Sequence, residues 1–538
     1  MKRCDRVDGG LTFVSVGVTA KARHVEPWDL RTELQAHLLF RKHPKGKAEL
    51  LKMRISRREF LKIAAIAASV STYPQMLLAD EAPTRPNILW ICTDQQRFDT
   101  IASLGNPHIR TPNLDELAES GVAFTHAYCQ SPICTPSRAS FMTGMHPDTV
   151  HGCMNGNDHW DDAAPLISKT LANAGYDCGL SGKLHLSTMH NRIEKRPDDG
   201  YRVFHWSHDP VDRWSRGHAY SDWLKAQGTS YDKLLRQHGF VPAHLHQTKW
   251  CAERAADFIR ENWNGPWLLN MNSFAPHSLG GKMHPPQEYL DRFDVDSLPG
   301  PYFRDSDLEA QQRLRGIDFQ TEATKYEKRD AQLYQAQYWA LVELIDENVG
   351  RLLTVLEETG QRDNTIVIFT SDHGEALGDH GLRRKGCRFY EGLARVPLII
   401  SWPARFKRGI KSDALVELTD IVPTLLESCG LPVPKNMHGK SLMPILEGKA
   451  DPHNHRKFVR SIYYRALMDT SYASMIRTRD YKLVVYHGHG LGELFDMNKD
   501  PHEFNNLWDD PAYADVRFKL MSIAFDAAAF AADLGPDA

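Results

Sequence analysis

"PNILWICTD", residues 86–94, holds a continuous apolar run, Ile88 to Cys92, and ends on an acid. Apolar and polar residues in alternation would mark a strand at a sheet surface. A continuous block fits a strand buried on both faces, as in a parallel sheet. "TIVIFTSDHG", residues 365–374, has the same form. Ahead of it, Leu341, Leu344, Ile345, Val349, Leu352, Leu353 and Leu356 recur at three- and four-residue steps, which predicts a helix, and Gly360 marks its stop. Helix followed by buried strand is the unit of an α/β sheet. Residues 177–181, 267–273 and 396–401 are further strand candidates.

Polar residues follow several of these strands directly. Asp94-Gln95 follows the first, Lys183 and His185 follow "YDCGLSG", His277 follows "WLLNMNSFAP", and Asp372-His373 ends the strand that starts at Thr365. Open α/β sheets bind ligands beyond the carboxyl ends of their strands, so these distant segments are expected at one rim. The chain changes character over residues 458–508, where short strands and turns before a closing helix predict a smaller antiparallel C-terminal subdomain. Residues 196–220 are rich in Trp and His and are expected to be loop. Within them Trp206, His208, Trp214 and Tyr220, like His159-Trp160 before them, suit stacking on a sugar ring and sealing a core equally well.

The 538 residues are 42% hydrophobic and 25% charged, enough for more than one domain. A net charge of −3 argues against a nucleic-acid partner. Nine scattered cysteines show no paired CxxC spacing, and their odd number argues against a fully paired disulfide framework. "MRISRREFLKIAAIAASV" starts at Met53 with Arg57-Arg58 and a short apolar run. That run is too short to span a bilayer, so no stable membrane insertion is expected. It resembles a twin-arginine export signal, which implies the twin-arginine export machinery as a partner and a periplasmic or secreted location. The expected layout is a doubtful N-terminal extension at 1–52, a signal peptide at 53–82, a catalytic domain at 83–455 and a C-terminal subdomain at 456–538.

"SPICTPSRASFMTG", residues 131–144, carries Cys134-Thr135-Pro136-Ser137-Arg138. Taken alone, Cys134 is most simply a buried structural thiol, and Asp94 and Asp372 are turn caps. Taken together with "PNILWICTDQQ", "GKLHL", "APHS", "TSDHGEALGDHGLRRKG" and "HGKSL" in this order, the chain resembles the formylglycine-dependent sulfatases of the alkaline phosphatase superfamily. The resemblance covers most of residues 84–510. It implies an alkaline-phosphatase-like fold, a large mixed and mostly parallel sheet sandwiched by helices, with a smaller C-terminal α+β subdomain.

The resemblance further implies that a formylglycine-generating maturase converts Cys134 to formylglycine (3-oxoalanine). A hydrated aldehyde carries two hydroxyls on one carbon, one to attack sulfur and one to drive sulfate out, so a single hard step becomes two easier ones. Asp94, Gln95, Asp372 and His373 resemble the family's metal-binding positions, with residue 134 beside the ion. Calcium is the family's expectation. Gln95 stands where a second Asp is common and His373 where Asn is common, and this less anionic set with a nitrogen donor also admits manganese or magnesium. By the same resemblance Arg138 holds the nucleophile and the metal carboxylates. Lys183 and Lys385 face the sulfate, although Arg383 and Arg384 in "GLRRKG" compete with Lys385 for that place. His277 protonates the leaving alcohol, and His185 takes a proton from the second hydroxyl.

The substrate implied is a sulfated small molecule or glycan, with a carbohydrate favoured. Three rivals stand beside this reading. One is a phosphonate monoester or phosphodiester hydrolase on the same scaffold, which the Gln95/His373 pair favours. Another is an inactive sulfated-glycan-binding protein, which would have lost Cys134, Arg138 or a metal position. The last is a plain thiol hydrolase using Cys134 with His185.

Overall fold

The computed structural model describes residues 85–157, 165–187, 193–214, 217–261, 265–467 and 469–532. The expectations for residues 1–52, for the export signal and for His159-Trp160 lie outside them.

The main sheet has eight strands, β1 (Asn87–Asp94), β2 (Val122–Tyr128), β3 (Asp177–Gly182), β4 (Val203–Trp206), β5 (Trp267–Pro276), β6 (Thr365–Ser371), β7 (Arg395–Ser401) and β8 (Ile410–Glu417), in the order β4-β3-β5-β1-β6-β7-β2-β8. All neighbours run parallel except β7, which is antiparallel to both β6 and β2. The sheet is thus mixed and mostly parallel: the blocks at 86–94 and 365–374 form parallel strands as predicted, and the mixture is the one that the resemblance implies.

The reason is visible along β1. Ile88, Trp90 and Cys92 enter one buried cluster, and Leu89 and Ile91 enter another on the opposite face. β6 divides likewise, with Ile366 and Ile368 on one side and Val367 and Phe369 on the other. Successive side chains of a strand point to opposite faces, so a strand covered on both sides must be apolar throughout. The helices used below are α1 (Pro112–Glu119), α2 (Cys134–Thr143), α3 (Gln247–Arg260), α4 (Lys328–Glu358), α5 (Ile421–Ser428) and α6 (Ala514–Phe530). α2 and α5 pack in the first cluster; α1, α3 and α4 pack in the second. The expected α4 ends at Glu358, and Gly360 takes φ 66°, the left-handed conformation that closes a helix.

The C-terminal strands β9 (Phe458–Tyr464), β10 (Tyr472–Thr478), β11 (Tyr481–Tyr486) and β12 (Leu491–Asp496) form a separate antiparallel sheet in the order β12-β11-β10-β9, followed by α6. Lys482 of β11, fully buried, joins it to the main body: its ammonium lies 2.7 Å from Glu391 and 2.6 Å from Glu503, and donates to the Phe389 carbonyl at 2.9 Å.

The expectation of loop over residues 196–220 is corrected here. Val203–Trp206 is edge strand β4, paired in parallel with β3. Trp206 and Trp214 are buried in the first cluster and Tyr220 in the second, so these three aromatics seal the core. The described cysteines are all free thiols. Among the described residues no helix is long and apolar enough to cross a membrane.

Candidate active site

Four adjacent parallel strands deliver the site. β3, β5, β1 and β6 lie side by side, so their carboxyl ends reach one rim. Asp94 closes β1, Lys183 follows β3, His277 follows β5, and Asp372 and His373 follow β6. α2 points its amino end at the same place, with Cys134 as its first residue.

Cys134 Sγ lies 2.7 Å from Lys385 Nζ, 3.2 Å from His373 Nε2, 3.6 Å from Asp94 Oδ1 and 3.7 Å from Lys183 Nζ. Lys385 Nζ is also 3.0 Å from both His277 Nε2 and His373 Nε2. Lys385 is therefore the basic residue of "GLRRKG" that enters the site. Arg383 instead stacks between the rings of Tyr326 and Tyr334 at 3.8 and 4.2 Å, and Arg384 donates to the Gln320 carbonyl at 2.6 Å. Arg138, fully buried, donates from Nε to Asp372 Oδ2 at 2.9 Å and from Nη1 to the Lys183 carbonyl at 3.2 Å. Lys183 forms a buried ion pair with Asp94.

His185 is held differently. Its backbone N–H and those of Leu186 and Ser187 donate to the Glu194 carboxylate at 2.8, 2.5 and 2.9 Å, and Thr135 Oγ1 donates to its carbonyl at 2.9 Å. Its ring stands edge-on to His208, 4.5 Å between centroids, and its Nδ1 has no hydrogen-bond partner among the described residues. Glu194, which also accepts from Trp206 Nε1 at 2.8 Å, has no motif to announce it. Asn155, whose Oδ1 accepts from the Thr135 N–H at 3.2 Å, is equally silent in the sequence.

Ligand atoms of Asp94, Cys134, Asp372 and His373 lie within 4.8 Å of one another, all buried. Two further observations fit a cation there. His373 Nδ1 donates to the Gly374 carbonyl at 2.8 Å, which leaves the Nε2 lone pair on the cluster side. Gln95 Oε1 is buried with no hydrogen-bond partner among the described residues, a costly state that an ion would relieve. Oxygen donors with one imidazole suit a hard or borderline divalent ion.

The electrostatics follow from burial and crowded cations. Burial would raise Asp94, but the Lys183 ammonium, with His277, Lys385 and Arg138, holds its carboxyl well below the usual range. Burial pushes the Cys134 thiol up, against the pull of Lys183 and Lys385. A thiol so held is protonated near neutral pH and a weak nucleophile, which disfavours plain thiol chemistry. Burial and then Lys385 push His277 well below the imidazole range, and burial with Lys183 does the same to His185.

A buried acid–histidine cluster at the carboxyl ends of a mostly parallel sheet, faced by two lysines and a helix amino end, defines a hydrolase of the alkaline phosphatase superfamily. Within it the chain belongs to the sulfatase family, which it matches over residues 86–431, and it is a sulfuric ester hydrolase. Residues 378–526 match the C-terminal region of N-sulphoglucosamine sulphohydrolase. An arylsulfatase of Clostridium perfringens is 31% identical over 455 residues, covering 80% of this chain and 91% of the relative. An N-acetylglucosamine-6-O-sulfatase of Bacteroides thetaiotaomicron is 28% identical over 528 residues, covering 86% and 89%. The crystal structure of a phosphonate monoester hydrolase of Agrobacterium radiobacter superposes with a TM-score of 0.71 at 25% identity, covering 83% of this chain and 96% of that one.

Proposed function

We propose that the protein hydrolyses a sulfate monoester of a carbohydrate, with residue 134 as formylglycine and one divalent cation, Ca2+ before Mn2+ or Mg2+. The carrying observation is the convergence of Lys385, His373, Asp94 and Lys183 on Cys134 Sγ at a buried helix amino end. Hydrated formylglycine supplies two hydroxyls on one carbon, one to bond sulfur and one to release sulfate. The cation supplies positive charge against the sulfate oxygens. Asp94, Gln95, Asp372 and His373 would hold it.

The chain's own groups do the rest. Lys183 and Lys385 present compact positive charge to the sulfate. Arg138 fixes Asp372 and the Lys183 carbonyl, so the acid and the lysine keep their places when charge shifts. His277 donates Nδ1–H to the Ser278 carbonyl at 2.6 Å, which turns an unprotonated Nε2 toward the Lys385 ammonium and the reacting space, so the proton for the leaving alcohol would come from Lys385 and reach it through Nε2. His185 takes the proton that sulfate release requires.

Two points favour a sugar as the alcohol. One is the relative that acts on N-acetylglucosamine-6-O-sulfate by its name. The other is a cavity of about 730 Å3, lined by Asp318, Phe319, Arg388 and Asp469 among others. Its wall is tied to the lysine loop, for Phe319 bridges Gly386, the neighbour of Lys385. Cavities of this volume are large enough for a small-molecule ligand. The Arg57-Arg58 segment supports twin-arginine export to the periplasm or beyond, with maturation completed first.

Mass spectrometry of the tryptic peptide ending at Arg138 tests the reading. Active protein should carry the aldehyde at residue 134, and fully active protein with an intact thiol would overturn it. A second reading, phosphonate monoester hydrolysis, is favoured by the Gln95/His373 pair and by the Agrobacterium structure. Sulfate and phosphonate esters assayed in parallel separate the two.

A further inference from the structure

Gln95 departs from the acid usual at its position, and its surroundings explain why. Its main chain is pinned at both ends: the N–H donates to Asp372 Oδ1 at 3.0 Å, and the carbonyl accepts from Tyr338 Oη at 2.6 Å. Its side-chain Nε2 donates to Glu375 Oε2. Glu375 is fully buried, and its other oxygen accepts from Leu377 N–H at 3.2 Å and from Arg384 N–H. An amide has one donor end and one acceptor end. With Nε2 committed to Glu375, only Oε1 is left, and that is the atom buried without a partner among the described residues.

We infer that Glu375 is a positioning residue for the cation: it sets the orientation of the Gln95 amide so that oxygen, not NH2, faces the ion. This rests on the metal reading above. The same carboxylate grips the backbone of Arg384, next to Lys385, so one residue ties the ion's amide ligand to the lysine loop. Outer partners of this kind commonly change metal affinity by about 10- to 100-fold when removed.

The pairing makes a directional prediction. In Glu375→Gln, the new amide keeps its oxygen on the Leu377 and Arg384 N–H groups and turns NH2 toward Gln95. Two NH2 groups then face each other, and relief requires the Gln95 amide to flip, which puts a donor at the ion. In Gln95→Glu, two buried carboxylates meet. In the double variant Gln95→Glu/Glu375→Gln the hydrogen bond is restored with its direction reversed, and the net charge of the pair is unchanged.

The experiment is titration calorimetry of Ca2+, and separately Mn2+, into chelator-stripped full-length protein. Glu375→Gln should weaken binding by about tenfold or more, and the double variant should return to within about threefold of the parent. A Glu375→Gln protein that binds like the parent overturns the inference, as does a double variant no tighter than Glu375→Gln. These two proteins decide the matter if Gln95→Glu fails to fold. A parent that takes up neither ion overturns the metal reading itself and is told apart by that first titration.

Discussion

Arg138 Nε donates to Asp372 Oδ2 at 2.9 Å, and neither side chain has any exposure to solvent. Asp372 Oδ1 in turn accepts from the N–H of Gln95 at 3.0 Å and of His373 at 2.9 Å. One guanidinium therefore balances the carboxylate that holds the backbones of both Gln95 and His373. Breaking a buried pair by deleting one partner strands the other charge. Arg138→Ala should cost about 3–5 kcal/mol in denaturant unfolding. A loss under about 1 kcal/mol would remove Arg138 as the support of the cluster.

Cys134→Ala leaves the amino end of α2 and its neighbours in place. Turnover of a sulfate ester should fall on the order of a thousandfold or more. The thermal midpoint should stay near that of the parent. Retained turnover would take the nucleophile away from residue 134.

The cavity beside the lysine loop predicts a split between substrates. Tyr463 Oη donates toward both Asp318 Oδ2, at 2.8 Å, and Asp469 Oδ2, at 2.5 Å, and burial, with the contact between the two acids, raises Asp318, so this corner is rich in carboxyl oxygens. Sugar hydroxyls would find acceptors there. Asp469→Asn should raise KM for a sugar sulfate about fivefold, the worth of roughly one hydrogen bond, and leave an aryl sulfate unchanged. Equal effects on both substrates would place the sugar elsewhere.

Lys482 holds Glu391 and Glu503 together at the seam between the two sheets. Lys482→Met leaves two buried carboxylates without their shared cation. The expected loss of stability is about 3–5 kcal/mol. Proteolysis should open residues 458–532 before the main sheet. A variant that resists protease like the parent would deny the lysine that joining role.

His246 is one of several buried histidines whose lowered pKa sets a pH limit on the fold. His246 caps α3, its Nδ1 accepting from the Thr248 N–H at 3.2 Å, and burial lowers its pKa to about 4. The folded protein then binds this proton less readily than the unfolded chain. Its stabilising effect is complete above about pH 6.5 and is lost as pH falls toward 4. His246→Asn keeps a capping side chain and removes the titration. Its thermal midpoint should gain on the parent steadily between pH 6.5 and 4.5, whereas a constant gap would exclude His246 from the acid response.

Much of this architecture was legible in the letters. The apolar blocks at 86–94, 177–181, 267–273, 365–374 and 396–401 became β1, β3, β5, β6 and β7, because strands covered on both faces must be continuously apolar. The polar residues that follow them met at one rim because parallel strands end together. Val203–Trp206 was not legible: four residues with polar neighbours become a strand only by pairing with β3.

The sequence by itself settled which chemical groups are present and, through the period of its apolar residues, which strand ends carry them. It could not say whom those groups bond. Gln95 and Glu375 stand 280 residues apart, and which end of an amide is taken depends on what the folded chain sets against it. The same holds for Glu194 under His185, for Lys385 rather than Arg383 at Cys134, and for the tryptophans drawn into the core. Local periodicity is written in neighbouring residues. Pairing between remote side chains exists only once packing has excluded water from between them.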